Sequence, residues 1–146
     1  MAGLDGGRLN IGACSLGGAQ FCLDRTVAYM KERKQFGARL ADFQALAFRI
    51  ADYATDLDAA RLLVRRAAMA VERRDPDATR LAAEAKRLAT DRGFDVVNGC
   101  LQLHGGYGYL RDHPIERVLR DLRVHQILEG TNEIMRLIIS RDLLHP

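Results

Sequence analysis

The stretch Arg8-Leu9-Asn10-Ile11-Gly12-Ala13-Cys14-Ser15-Leu16-Gly17-Gly18-Ala19-Gln20-Phe21-Cys22-Leu23 decides the fold class. Leu9, Gly12, Leu16, Ala19, Leu23, Val27 and Met30 recur at steps of three and four, the spacing of one face of an α-helix. Small residues (Gly12, Ala13, Gly17, Gly18, Ala19) crowd this helix, although each glycine costs roughly 1 kcal/mol of helix stability relative to alanine. The return expected for that cost is close approach of a neighbouring helix or a ligand.

The same spacing continues outward. The first helix is expected from near Arg8 to Glu32-Arg33-Lys34-Gln35-Phe36-Gly37, with Gly37 suited to a C-terminal cap. A second is expected over Asp42 to Arg73, with its stripe at Phe43, Leu46, Ile50, Ala54, Leu57, Val64, Ala68 and Val71. Asp75-Pro76 predicts a restart, with aspartate as N-cap and proline at the first helical position. The third helix then runs through Ala82, Ala85, Ala89, Val96, Cys100 and Leu103 to the turn Gly105-Gly106-Tyr107-Gly108. His113-Pro114 opens a short fourth helix, and a last one starts at Thr131 with Ile134, Leu137, Ile138 and Leu144 on its apolar face. No segment reads as a strand. The expected fold is all-α, an antiparallel bundle of four-helix type with three long and two shorter helices, in one domain over residues 1–146.

Composition agrees with a soluble globular domain: 48% hydrophobic, 28% charged, with a net charge of +3 spread over interleaved charges of both signs. Nucleic-acid binders concentrate basic residues in one stripe with aromatics between them, so that class is excluded, while a small anionic ligand at Arg33 is not. Cys14, Cys22 and Cys100 are odd in number and widely spaced, and read as small buried hydrophobes in a reducing compartment. His104, His113, His125 and His145 lack metal-ligand spacing, and no metal is expected. The amino terminus has no signal-peptide pattern and no apolar run is long enough to span a bilayer. The chain is therefore expected to be soluble and intracellular, away from membranes.

Periodicity alone stops at a helical bundle, and the chemistry lies at the turns. Glu129-Gly130-Thr131 stands where the chain enters the last helix, with Thr131 placed to cap it. A carboxylate on such a loop can take a proton while its backbone N–H bonds a carbonyl in the same cleft. On spacing alone it is equally an ordinary acidic residue favoured by the helix dipole.

Several stretches together carry a resemblance. His125-Gln126-Ile127-Leu128-Glu129-Gly130-Thr131-Asn132-Glu133-Ile134-Met135-Arg136 resembles the catalytic segment of the acyl-CoA dehydrogenases. Gln102-Leu103-His104-Gly105-Gly106-Tyr107-Gly108-Tyr109 resembles that family's glycine turn. Arg33-Lys34-Gln35-Phe36-Gly37 with Phe43-Gln44 resembles its flavin-contacting stretch, and Leu4-Asp5-Gly6-Gly7-Arg8 the opening of its carboxy-terminal domain. They stand in family order across nearly the whole chain, nearest to the isobutyryl-CoA and short or branched-chain members.

The resemblance implies that Glu129 removes the α-proton of an acyl-CoA thioester while the β-hydride passes to FAD. It implies FAD contacts at Arg33, Gln35, Phe36, Gln44, Gln102, Gly105, Gly106, Thr131 and Glu133, those of Arg33, Gln35 and Phe36 being to the cofactor of a neighbouring subunit. Asp5, Arg8 and Gly130 fall at positions lining the acyl-CoA site. Some members carry the base at the position matching Gly7, which cannot act as one. Leu128 precedes the base where several straight-chain members carry tyrosine, favouring short or 2-methyl-branched acyl groups. Electron-transferring flavoprotein is the implied acceptor and a homo-tetramer the implied assembly. Family enzymes also carry amino-terminal helical and central β domains, absent from this chain, so isolated residues 1–146 are expected to be inactive. The alternative is a non-catalytic helical oligomerisation module derived from the family.

Overall fold

The computed structural model describes residues 2–145. After a 3₁₀ turn at Ala2–Leu4, α1 covers Asp5–Glu32, α2 Gln44–Arg73, α3 Ala78–His104, α4 Ile115–His125 and α5 Asn132–Leu144. The fold is all-α, five helices packed together. Helix α3 is the central member and packs on all the others. One core cluster joins Leu16, Ala19, Cys22 and Leu23 of α1 to Leu57 and Ala60 of α2, Ala89, Val96, Val97 and Cys100 of α3, and Ile115, Val118 and Leu122 of α4. Small residues let the helices approach: a Cβ built on Gly18 would stand 3.2 Å from Val118 and 2.7 Å from Leu122.

The structure shifts several expected boundaries. Helix α1 starts at Asp5, before the expected Arg8, and Asp5 sits in its first turn where the helix dipole favours a carboxylate. Gly37 is no helix cap. Helix α1 stops when Arg33 turns extended, and Lys34–Gln35 pairs antiparallel with Ala38–Arg39 in a two-stranded hairpin that the sequence did not suggest. Phe36 (φ 53°) and Gly37 (φ 81°) form its turn, two consecutive left-handed residues as tight hairpins demand. The Asp75-Pro76 restart falls two residues late. Arg74 ends α2 in the left-handed conformation with its N–H on the Val71 carbonyl, and α3 begins only after Asp77. Asp77 then pairs with Arg80, which also reaches Glu84 and, from the end of α5, Asp142.

Two apolar stripes are also placed differently. On α2 the buried positions are Leu57, Ala60, Ala67 and Ala70, while Ala54 and Ala68 are exposed, because α2 packs along a narrower seam. On α5 the core receives Met135 and Asn132, and Ile134, Leu137 and Leu144 stay exposed. Cys22 and Cys100 are buried, their thiols pushed up to about 12 and about 11 by burial, but Cys14 is exposed on α1, contrary to its expected burial. Among the described residues no helix is long and apolar enough to cross a membrane.

Candidate active site

Glu129 sits in the six-residue turn between α4 and α5, with φ of 57° followed by 92° at Gly130. Thr131 caps α5 as expected, its hydroxyl accepting from the Ile134 N–H at 3.4 Å. The Asn132 N–H closes the turn on the Gln126 carbonyl at 3.0 Å. Among the described residues the N–H groups of Glu129 and Gly130 donate to no backbone carbonyl or side chain, so both remain free for a ligand.

The carboxylate of Glu129 lies over Gly7 of α1. A Cβ built there would stand 2.7 Å from Glu129 Cδ and 3.1 Å from Oε1. Positions 7 and 129, from opposite ends of the chain, thus meet at one point, and only glycine at 7 leaves room for the carboxylate. At the next residue, Arg8 donates to Asp5 at 2.8 Å, and Thr79 of α3 donates to the other Asp5 oxygen at 2.8 Å. Both ions are buried, and Arg8 Nε has no hydrogen-bond partner.

Beneath the turn lies a polar network that periodicity did not reveal. Lys86 of α3 is fully buried and donates to the Gly130 carbonyl at 2.8 Å and to Asn132 Oδ1 at 2.7 Å. Asn132 in turn donates to Thr90 at 2.9 Å and Asp91 at 2.7 Å, and Gln126 donates to the same Asp91 oxygen at 2.8 Å. Burial pulls the Lys86 ammonium down to about 8, against the opposing pull of Asp91. His125, just ahead of the turn, meets the Ser15 hydroxyl at 2.8 Å, and burial lowers its pKa. The signal for Lys86 was in the sequence: a lysine among the core-facing positions Ala82, Ala85 and Ala89 needs a partner.

A second site lies at the far end of α1. Arg33, Gln35, Gln102, Gly105 and Gly106 converge on one cavity of about 510 Å³. Tyr29, His104 and Tyr107 stand in its wall with Leu40, Leu103 and Leu110. The Arg33 guanidinium lies 5.1 Å from the Tyr107 ring centre, and His104 stacks on Tyr29 at 4.2 Å. His104 Nδ1 is paired with the Cys100 carbonyl at 2.9 Å, and burial lowers its pKa. Gly105 (φ 58°) turns the chain, and nothing lies within 4 Å of a Cβ built on it or on Gly106. Phe36 and Gln44 are not among these walls: Phe36 is 93% exposed at the hairpin tip and Gln44 is exposed at the start of α2. Thr131 and Glu133 line a separate polar hollow of about 300 Å³ with Asp91, Arg123, Gln126 and Arg136. Gly7 and Tyr29 stand about 33 Å apart at the helical rise of α1, so the two groups of candidate cofactor residues occupy opposite ends of the molecule.

Residues 1–144 match the family described as acyl-CoA dehydrogenase, C-terminal domain. The chain belongs to the acyl-CoA dehydrogenase family. It is 56% identical over 143 residues to the mitochondrial isobutyryl-CoA dehydrogenase of Dictyostelium discoideum, a match covering 98% of this chain and 34% of that protein. Butyryl-CoA dehydrogenase from Megasphaera elsdenii superimposes with a TM-score of 0.93 at 41% identity, over 97% of this chain and 37% of that one. A chain from structural work on the electron transferring flavoprotein of Acidaminococcus fermentans gives 0.94 at 46% identity, over 98% of this chain and 37% of that one. The chain thus spans about a third of the length of each of these proteins. Among the described residues no group of His, Cys, Asp and Glu side chains could hold a metal ion.

Proposed function

We propose that this domain supplies the catalytic base of a flavin-dependent acyl-CoA dehydrogenase, Glu129 removing the α-proton of a short or 2-methyl-branched acyl-CoA thioester. The observation that carries the reading is the turn before α5, where a carboxylate rests over bare Gly7 and the N–H of the same residue has no partner. A thioester carbonyl accepting that N–H gains a hydrogen bond where negative charge develops, beside the group that takes the proton. Gly130 forms the backbone edge of this site and the Asp5–Arg8 pair its buried floor.

FAD, when bound, supplies the acceptor for the β-hydride. The residues present fit it: the Arg33 guanidinium suits pyrophosphate oxygens, and the open faces of Gly105 and Gly106 admit a phosphate close to the backbone. Gln35 and Gln102 stand in the same cavity as side-chain partners. Thr131 and Glu133 in the polar hollow would meet a different part of a cofactor. Two groups at opposite ends of α1 suit two cofactor molecules, one of them held by a neighbouring copy and met by Phe36 and Gln44 as well. That arrangement calls for a homo-oligomer, a tetramer by family likeness, and the exposed Phe48, Leu62 and Met69 on α2 offer it an apolar face. The same face supports the alternative of a pure assembly module, which would bind no flavin. The proposed electron acceptor is electron-transferring flavoprotein, and the reaction is proposed for the whole flavoprotein containing this domain, not for residues 1–146 alone.

The test grafts residues 1–144 in place of the matching domain of the Dictyostelium isobutyryl-CoA dehydrogenase. The graft should bind FAD and turn over isobutyryl-CoA, and Glu129→Gln should lower kcat by about 10²–10⁴ while FAD stays bound. Full turnover by Glu129→Gln would remove the base from this position, and an inactive, flavin-free graft would favour the assembly module.

A further inference from the structure

We propose that Lys86 is a positioning residue, whose buried ammonium holds the Gly130 carbonyl and thereby fixes the Glu129 carboxylate over Gly7. The inference rests on the reading of Glu129 as base and adds to it a residue that never meets the substrate.

The geometry is that of a clamp. Lys86 is fully buried on the core side of α3, with Gly12 of α1 so near that a Cβ there would lie 3.8 Å from Lys86 Cα. An ammonium at such a site has lost its water and must be repaid by partners of good geometry. Both hydrogen-bond partners lie on one short segment, the Gly130 carbonyl and the Asn132 side chain, on either side of the capping residue Thr131. Residues Glu129 and Gly130 both have positive φ. For a glutamate this is a sparsely populated conformation that persists only where its surroundings over-determine it. With the Gly130 carbonyl drawn inward, the peptide linking 130 to 131 cannot rotate, and the backbone preceding it is held in turn. Release of that carbonyl frees the turn to relax to negative φ at Glu129, which swings the carboxylate off Gly7.

The charges facing Lys86 come from every element around it: Arg8 from α1, Asp91 from its own helix, His125 at the end of α4, Glu129 from the turn and Glu133 from α5. Burial outweighs the carboxylates and draws its pKa down to about 8. Above that pH the donor becomes a neutral amine and its bond to the carbonyl weakens, since charge-assisted bonds are the stronger ones. Opening of the turn alone leaves Lys86 in the core without its acceptor, which lowers its pKa further, so rising pH favours the opened turn although it favours the folded chain over the unfolded one. The clamp should loosen in a range where the helices remain folded.

Hydrogen exchange in the 146-residue chain reads this directly, corrected for the intrinsic pH dependence of amide exchange. The reporter is the Asn132 amide, whose bond to the Gln126 carbonyl closes the turn. Raising the pH from about 7 to about 9 should speed its exchange roughly tenfold, with amides in the middle of α1 and α2 unchanged. Lys86→Met should show the faster exchange at both pH values. A turn equally protected at both pH values in the parent chain overturns the proposal, and so does the same rise with pH in Lys86→Met. If that variant does not fold, the parent's own pH profile decides.

In the graft, Lys86→Met should lower kcat about 10- to 100-fold with KM for isobutyryl-CoA unchanged, the penalty of a misplaced catalytic group. The double variant with Glu129→Gln should be no slower than Glu129→Gln alone. If Glu129→Gln abolishes turnover and Lys86→Met leaves kcat intact, the positioning role is lost and the base stands. If Glu129→Gln is fully active the base reading falls, and the exchange experiment still judges the clamp.

Discussion

Two of the turns that use positive φ and glycine, those before α5 and after α3, are built in opposite ways. The turn after α3, at Gly105-Gly106, is bare: nothing lies within 4 Å of a side chain added at either glycine, and the backbone faces a cavity of about 510 Å³. The turn before α5, at Glu129-Gly130, is clamped from below by Lys86, Asn132, Thr90, Asp91 and Gln126. A turn that admits a ligand against its backbone needs empty space and tolerates loose anchoring. A turn that must present one side chain at one place needs a shell that fixes its conformation. The contrast agrees with the roles proposed above, binding for the open turn and chemistry for the clamped one.

The clamped turn should be the expensive one to break. Asn132→Leu removes a partner from Lys86, Thr90 and Asp91 at once, leaving a buried ammonium with one remaining bond. The expected loss is about 3–5 kcal/mol, which is a large fraction of the roughly 5–15 kcal/mol that a domain possesses. Denaturant unfolding of the chain at neutral pH measures it; a loss below about 1 kcal/mol would mean that the network is not closed as described. The loss should shrink with rising pH, and the sign follows from Lys86. Its folded pKa of about 8 lies below its unfolded value of 10.5, so between these values the unfolded chain holds more protons and unfolding free energy rises with pH. Above that window's lower edge Lys86 sheds the charge whose partner was removed.

A smaller effect is expected one step along the same turn. Gly130→Ala places a side chain at φ 92° and sets its Cβ 2.9 Å from the flexible end of Met135. The methionine tip can move, so the cost is chiefly backbone strain, about 1–3 kcal/mol. Thermal denaturation should show it, and no change would indicate a turn already free to take another conformation.

How much of this was legible follows the range of the interactions. The long helices were readable because Leu16, Ala19 and Leu23 declare their face within a few turns, and each packs where the spacing put it. Boundaries were less so: the end of α2 at Arg73 was legible, but α3 starts only at Ala78, and Gly37 serves a hairpin whose strands are two residues each. The α5 stripe misled because Ile134, Leu137 and Leu144 share the helix with a buried asparagine that takes the inward position. Of the candidate site, the resemblance named Glu129 and Gly7 but not that they touch. The core-facing place of Lys86 among Ala82, Ala85 and Ala89 says that it needs a partner but not which, since its partners lie 44 and 46 positions away. Only tertiary packing brings such a network together.

At the open turn stability and binding should part. Gly106→Ala adds a methyl group into empty space at a residue that does not need positive φ. Unfolding free energy should therefore change by no more than about 0.5 kcal/mol, the range of surface substitutions away from special features. The same methyl group occupies the space through which a phosphate would approach the backbone. FAD titration of the graft should accordingly show a Kd weakened about tenfold, equivalent to 1.4 kcal/mol of binding. The asymmetry with Gly130→Ala is that one glycine should matter to the fold and the site together, the other to the ligand alone. Unchanged flavin affinity in Gly106→Ala would detach this turn from the cofactor and leave the cavity beside Arg33 for another ligand.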